Sequence, residues 1–291
     1  MNFKPSTLLN YFSLVKIHHT IFSLPFALIG FFLAVNEKNE NISLRLLLLV
    51  VLCVLFARNA AMGFNRYVDR DLDKKNPRTA LREIPKELIR PGSAMFFVVI
   101  NAILFIITSG FLNMLCLILS PIALIVVMGY SFTKRFTSLS HLFLGAGLAL
   151  APIGAYIAVT NKFAIVPVIY SFCVMLWVAG FDIIYALQDI NFDKSENLKS
   201  IPVKLGIKKA LWLSGLFHAV SIVLIILAGF LYPFHLLYWI GCIVFTLLIA
   251  YQHMIVKTND LSKINLAFFT MNGIASIIYA IFVIGDLYLR I

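Results

Sequence analysis

Charge is what this chain has least of. Only 13% of its 291 residues are Asp, Glu, Lys or Arg, against 61% that are hydrophobic, and the mean hydropathy is +0.95. Roughly a quarter of a soluble domain is charged, so a water-facing globule is excluded and lipid is the solvent for most of the chain. Cysteine is sparse too. The four present, Cys53, Cys116, Cys173 and Cys242, fall inside apolar runs and form no CxxC pair, which argues against a thiol metal or redox centre and leaves them as small core residues. No Pro-, Gly- or Ser-rich linker and no low-complexity stretch divides the chain, so one membrane-embedded domain over residues 1–291 is expected. Residues 1–19 also lack an apolar core followed by a small-residue cleavage site, so no signal peptide is expected. Their apolar positions Leu8, Leu9, Phe12 and Val15 suggest instead a helix lying on the membrane surface.

What the sequence does have is apolar runs of about 20 residues, the length that crosses roughly 30 Å of hydrocarbon. Nine are counted, starting near Thr20, Leu46, Ser93, Leu112, Leu139, Phe163, Leu211, Leu236 and Leu266. The runs are continuous rather than alternating at period two, and a backbone in lipid must satisfy its own hydrogen bonds, so helices are favoured over a barrel. The expected fold class is an all-α polytopic membrane protein. Pro25, Pro121, Pro152 and Pro167 fall within the runs and read as kinks. A net charge of +11 would suit a nucleic-acid partner, but its distribution does not. Nineteen of the 24 Lys and Arg lie in alternate loops on one side, and four, Lys38, Arg45, Lys162 and Arg290, on the other. Such a bias places the N-terminus and the loops after the second, fourth, sixth and eighth runs in the cytoplasm. Arg58 lies within the second run, where an arginine costs about 2.5–3.5 kcal/mol to insert and marks a functional candidate, with snorkelling to the interface as the alternative.

The acidic residues carry the most information. Six of the eight aspartates occupy two short segments, Asp69, Asp71 and Asp73, then Asp182, Asp189 and Asp193. Asp69 and Asp73 are each 120 residues from Asp189 and Asp193, and both segments continue as Asp-Lys into a basic loop containing Ile-Pro. The loops, 64–93 and 185–209, are thus related by an internal pseudo-repeat offset by four helices, and repeat interfaces in membranes often carry the site. If the second span continues as a helix past the surface, Arg58, Asn65, Asp69 and Asp73 share one face and Asp71 points elsewhere. Asp182, Tyr185, Asp189 and Asp193 share a second face in the same way.

Clustered carboxylates repel one another unless something strongly positive lies between them. Mg²⁺ fits, because it takes oxygen ligands and is commonly held by one or two carboxylates plus substrate phosphates. Arg66, Arg70, Arg78, Arg82 and Lys134 lie nearby as cations suited to the remaining phosphate oxygens. The pattern therefore reads as a grip on a diphosphate through metal.

Three segments resemble the UbiA superfamily of intramembrane prenyltransferases. Asn65-Arg-Tyr-Val-Asp69-Arg-Asp-Leu-Asp73, followed by Asn76-Pro-Arg78-Thr79, is similar to the NDxxDxxxD motif and its downstream Arg-Thr. Asp182-Ile-Ile-Tyr185-Ala-Leu-Gln-Asp189-Ile-Asn-Phe-Asp193, with Ser200, Pro202 and Gly206 beyond it, resembles the second Asp motif, and Tyr130-Ser-Phe-Thr-Lys134 the YxxxK element. Two positions depart from the pattern: Arg66 stands where the family often has Asp, and Asn197 where Gly is common. The resemblance implies nine helices around a central cavity, in which Asp69, Asp73, Asp189 and Asp193, with Asn65, bind two Mg²⁺ and a polyprenyl diphosphate. It also implies phosphate contacts from Arg78, Lys134 and Arg58, ionisation of the allylic C–O bond, and attack on the cation by an aromatic carbon. Arg82, Tyr130, Asp182 and Tyr185 complete the expected substrate-binding set. Val15-Lys-Ile-His-His-Thr-Ile-Phe-Ser-Leu-Pro-Phe-Ala together with Asn65-Arg66 resembles the 4-hydroxybenzoate polyprenyltransferase group, some bacterial members of which serve menaquinone synthesis by the futalosine route. Ubiquinone or menaquinone synthesis in a bacterial plasma membrane is the role this implies, ahead of the haem O and chlorophyll branches.

Other classes compete with this reading. A transporter or Mg²⁺ channel would line a path with acids, whereas these lie at one surface. A soluble prenyl synthase is excluded by nine lipid-length runs, and a silent scaffold is disfavoured because the motif carboxylates are all present. His18 and His19 open the first span, where an interfacial placement is expected, and His218 and His235 have no partner spacing.

Overall fold

The computed structural model describes residues 5–39 and 41–289, and every regular element among them is a helix. Lys4 and Arg290, two of the cations in the charge bias, lie outside the described residues, as does the side chain of Leu8. The elements run α1 (Pro5–Leu14), a 3₁₀ turn (Ile17–Phe22), α2 (Leu24–Lys38), α3 (Leu44–Val68), α4 (Arg70–Lys75), α5 (Pro91–Leu112) and α6 (Met114–Thr133). After them come α7 (Ser140–Thr160), α8 (Ile165–Ala186), a second 3₁₀ turn (Leu187–Asp189) and α9 (Ile190–Ser195). The chain ends in α10 (Ile201–Leu231), α11 (Leu236–Ile255), a π-helical turn (Leu266–Met271) and α12 (Asn272–Leu289).

Among the described residues eight helices are long and apolar enough to cross a membrane, and the pair Leu9–Phe22 and Leu24–Lys38, bent by 49°, makes a ninth when taken as one span. This matches the nine runs read from the sequence. One boundary differs: α10 begins at Ile201, is broken at Gly206 (φ 76°, ψ 168°), and resumes ahead of Leu211. Ser200 Oγ accepts the Val203 N–H and Pro202 occupies the first turn, so a leading helical turn forms before the apolar run, and the turns on either side of the Gly206 break carry Lys204, Lys208 and Lys209. In α1, Leu9 and Phe12 are exposed, as a surface helix requires, but Leu14 and the next residue, Val15, are buried. Leu14 packs with Ile84 and Ile89 of the loop after α4 and with Ala94 of α5, and Ser13 Oγ donates to Glu83.

Helix packing in lipid rests on close van der Waals contact, which small residues permit. Gly145 of α7 is one such point, because a Cβ there would lie 2.2 Å from the Met175 carbonyl oxygen of α8. Gly30 of α2 does the same against Pro152 of α7, at 2.0 Å. Around these contacts α2, α7, α8, α10, α11 and α12 enclose an aromatic core that buries Trp177, Tyr170, Tyr238, Tyr279 and Phe245. Polar tips in that core are satisfied within it: Trp177 Nε1 donates to Asn272 Oδ1 at 2.9 Å, and the Tyr170 and Tyr279 hydroxyls meet at 3.1 Å. On the opposite flank of α7 lie helices α3, α5 and α6, of which α3 and α5 pack closely together. Between this group and α8 opens a cavity of about 570 Å³. The expected central cavity is therefore bounded by α3, α5, α6, α7 and α8, with the first 3₁₀ turn, Phe268 and the segments around α4 and α9 completing its wall, while α10 and α11 give it nothing.

Candidate active site

The two Asp segments are built alike. Helix α3 yields to α4 at Asp69, whose φ/ψ is −92°/4°, and the second 3₁₀ turn yields to α9 at Asp189, whose φ/ψ is −102°/3°. In the first segment the α-helical bonds survive the break, Asp69 N to Asn65 O at 2.9 Å and Asp73 N to Asp69 O at 2.7 Å. Arg58, Asn65, Asp69 and Asp73 accordingly share a face and all line the cavity, as the spacing predicts. Asp71 points away, its side chain 82% exposed beside Arg70. In the second segment a 3₁₀ turn replaces the continuous α-helix that the offsets assume, yet Asp182, Tyr185, Asp189 and Asp193 all reach the cavity wall.

Arginines from other elements hold these carboxylates. Arg78 grips Asp189 with two bonds, Nε to Oδ1 at 2.9 Å and Nη2 to Oδ2 at 2.5 Å, while its Nη1 donates to the Tyr185 hydroxyl at 2.7 Å. Asn76 Nδ2 adds a bond to Asp189 Oδ1 at 3.2 Å. Arg82 Nη1 reaches both oxygens of Asp73, at 2.6 and 2.8 Å. Asp69 receives Arg135 Nη2 at 2.9 Å and Asn65 Nδ2 at 3.0 Å. The loop after the first Asp segment is thereby tied to the second segment across 111 residues of sequence, which brings the repeat-related ends together. Burial disfavours the charge on Arg78, but its bonds to Asp189 and Tyr185 prevail and its pKa lies above the ordinary value. Lys134 behaves similarly: burial opposes its charge, yet Asp193, Asp182, Asp189 and Asp69 together raise its pKa and keep it an ammonium ion. Burial pushes the Asp69 carboxyl up, against the pull of Arg135.

Several placements differ from a simple reading of charge. Arg70, grouped with the site cations, turns away, donating to the Tyr67 carbonyl and lying over the Tyr67 ring. Arg58 Nη2 donates to the Lys16 carbonyl at 2.8 Å. Arg66 is buried and, like Arg58, keeps one guanidinium nitrogen without a partner. Tyr130 stands within electrostatic reach of Arg66, Asp69, Asp182 and Arg58. His19 lines the cavity and His18 is exposed. His218, read as unpartnered, meets His253 at 2.7 Å away from the cavity. The four cysteines are free, as expected. Sequence reasoning missed Arg135, which follows Lys134 directly, and His141, whose Nδ1 lies 2.7 Å from Asp182 Oδ2. The signal for His141 was an ionisable residue at the head of an apolar run.

The donor set suits Mg²⁺. All of its candidate ligands offer oxygen, and Asp193 keeps a buried Oδ2 without a partner. Among the described residues no three His, Cys, Asp or Glu side chains converge tightly enough to cage an ion alone. An ion bound by one or two carboxylates, waters and substrate phosphates needs no such cage. Beyond the charged end, the cavity is walled by apolar side chains such as Val54, Leu119, Leu148 and Ile153, room for a long hydrocarbon chain.

Known proteins with this arrangement agree. The Aeropyrum pernix UbiA homologue, solved without ligand, superposes with a TM-score of 0.78 at 30% identity, covering 94% of this chain and 97% of that one. The Archaeoglobus fulgidus UbiA homologue bound to GPP and Mg²⁺ gives 0.72 at 21% identity, covering 95% and 99%, a likeness of fold. A 4-hydroxybenzoate octaprenyltransferase of Francisella tularensis subsp. mediasiatica is 27% identical over 238 residues, 82% of this chain and 84% of its own. Residues 23–274 match the UbiA prenyltransferase family, and this chain belongs to it.

Proposed function

We propose that this chain transfers a polyprenyl group from polyprenyl diphosphate, with Mg²⁺, to an aromatic acceptor, 4-hydroxybenzoate or a related aromatic acid, in quinone biosynthesis. The observation that carries the reading is the convergence of two repeat-related Asp segments, threaded with arginine and lysine, at one end of a cavity whose remaining walls are apolar. A diphosphate and its hydrocarbon chain need those two environments side by side.

In this reading Asp69, Asp73, Asp189 and Asp193, with Asn65, hold Mg²⁺, which when bound offsets the charge that develops on the departing diphosphate. Arg78, Arg82 and Lys134 face the phosphate oxygens. The forked guanidinium that grips a carboxylate matches a phosphate equally well, so Arg78 and Arg82 exchange one oxyanion for the other as substrate enters. These fixed cations stabilise the leaving group as the allylic C–O bond opens. The apolar walls exclude water from the cation until the ring carbon attacks. Tyr130, Asp182, Tyr185 and Arg58 border the remaining polar wall, where the acceptor is held. The side with most Lys and Arg, including both Asp segments and the N-terminus, faces the cytoplasm of a bacterial cell.

The test is prenyl transfer in liposomes with Mg²⁺, a polyprenyl diphosphate and a panel of aromatic acids. Asp69→Ala and Asp189→Ala should each lower turnover by about 10²–10³-fold or more, the size of losing one preorganised electrostatic partner. Folded wild-type protein that releases no diphosphate with any donor would overturn the proposal.

A further inference from the structure

We infer that Asp182, held in place by the buried His141, is the group that takes the hydroxyl of the aromatic acceptor, an assignment that rests on the prenyl-transfer reading above. His141 belongs to α7 and has no exposed surface, whereas Asp182 belongs to α8, lines the cavity and keeps 18% of its side chain exposed. The two meet at 2.7 Å through His141 Nδ1 and Asp182 Oδ2. A carboxylate can only accept, so Nδ1 carries the proton. Oδ1 of Asp182 then remains for a ligand in the cavity. Three of its fellow aspartates differ in this respect: Asp69, Asp73 and Asp189 are each occupied by an arginine, and Asp193, which is not, keeps its free Oδ2 fully buried, whereas Asp182 is tied to an imidazole on its buried side alone. Asp182 also stands beyond the arginine-bound acids, within electrostatic reach of Tyr130 and Lys134. A carboxylate presented toward an apolar cavity and braced from behind is suited to a hydroxyl donor and unsuited to a phosphate, which it would repel.

The chemistry follows. As the allylic C1–O bond breaks and C1 bonds to the ring carbon beside the hydroxyl, the phenolic proton passes to Asp182 Oδ1, so the adduct is a neutral dienone and not a cation. The ring carbon then gives its proton to the released diphosphate, and Asp182 returns its own to the oxygen, restoring the phenol. His141 acts only through Asp182, as a positioning residue.

The experiment compares wild type, Asp182→Asn, His141→Leu and His141→Asn in liposomes, with 4-hydroxybenzoate and 4-methoxybenzoate as acceptors and the prenyl diphosphate saturating. Wild type should prefer the hydroxy acid by about 100-fold or more in kcat/KM, as a site built to bind a hydroxyl does. Asp182→Asn should lower kcat/KM for 4-hydroxybenzoate by about 100-fold and collapse that preference, leaving the KM for the diphosphate within about twofold. His141→Leu should lose about tenfold, and His141→Asn, which keeps an N–H donor on that side, should recover most of it. A preference that survives Asp182→Asn, or a His141→Asn variant no better than His141→Leu while both fold, overturns the assignment. If wild type prenylates no aromatic acid at all, the functional proposal itself falls.

Discussion

At the scale of single residues, the site is a set of exchanges between arginine and aspartate. Arg78 is the most committed member, since its three contacts to Asp189 and Tyr185 all use the guanidinium fork and its carbon lies 5.1 Å from the Tyr185 ring centre. Lysine keeps the charge but has neither fork nor planar face. Arg78→Lys is therefore expected to raise the KM for prenyl diphosphate by about tenfold or more, the worth of one charged hydrogen bond of 1.5–3 kcal/mol. Steady-state kinetics with varied diphosphate check this, and an unchanged KM would remove Arg78 from the phosphate grip. Two residues at this scale are opaque to sequence for the same reason. Arg135 and His141 find their partners 66 and 41 positions away, and nothing in their local spacing encodes which helix will lie opposite.

Among the elements, the α7–α8 pair sets the geometry of the wall proposed for the acceptor. His141 and Gly145 lie one turn apart on α7, and the absent side chain at Gly145 lets α8 approach through Met175. Gly145→Leu should separate the helices, lower thermal stability in detergent by about 1–3 kcal/mol as overpacking does, and lengthen the His141–Asp182 bond. Scanning fluorimetry together with the acceptor KM measures both, and a stable variant with wild-type kinetics would show that the close approach is dispensable. Much at this scale was legible. The apolar runs located the spans because lipid demands about 20 residues per crossing, and the 3.6-residue period put Asn65, Asp69 and Asp73 on one face. The second segment was less so, because the 3₁₀ turn at Leu187–Asp189 leaves no mark in the hydrophobic pattern. The start of α10 was misplaced because hydropathy reports where lipid begins, while Ser200 and Pro202 start a leading turn that the break at Gly206 separates from the spanning helix.

For the whole molecule, the arrangement of charge predicts orientation. Lys199 follows the second Asp segment, and Lys162 lies in the turn between α7 and α8 at the other end. Single cysteines replacing each, in a background without Cys53, Cys116, Cys173 and Cys242, should react differently with a membrane-impermeant maleimide on intact cells. The cysteine at 162 should label and the one at 199 should label only after lysis; the reverse pattern would invert the topology. What sequence could not convey at this scale is the division of labour between helices. Nine spans of similar hydropathy look equivalent, yet six enclose a filled aromatic core and the cavity lies against only two of those, α7 and α8.

The shared backbone break at Asp69 and Asp189 has a consequence for symmetry. The helices that lead into these breaks are four crossings apart, an even number, so both run in the same direction through the bilayer. Both acidic helix ends therefore emerge on the same side of the bilayer, as repeats of parallel orientation require. A single repeat carries only one of the two acidic helix ends, so on these terms neither repeat can hold the site by itself, and the site exists only as a joint between the two.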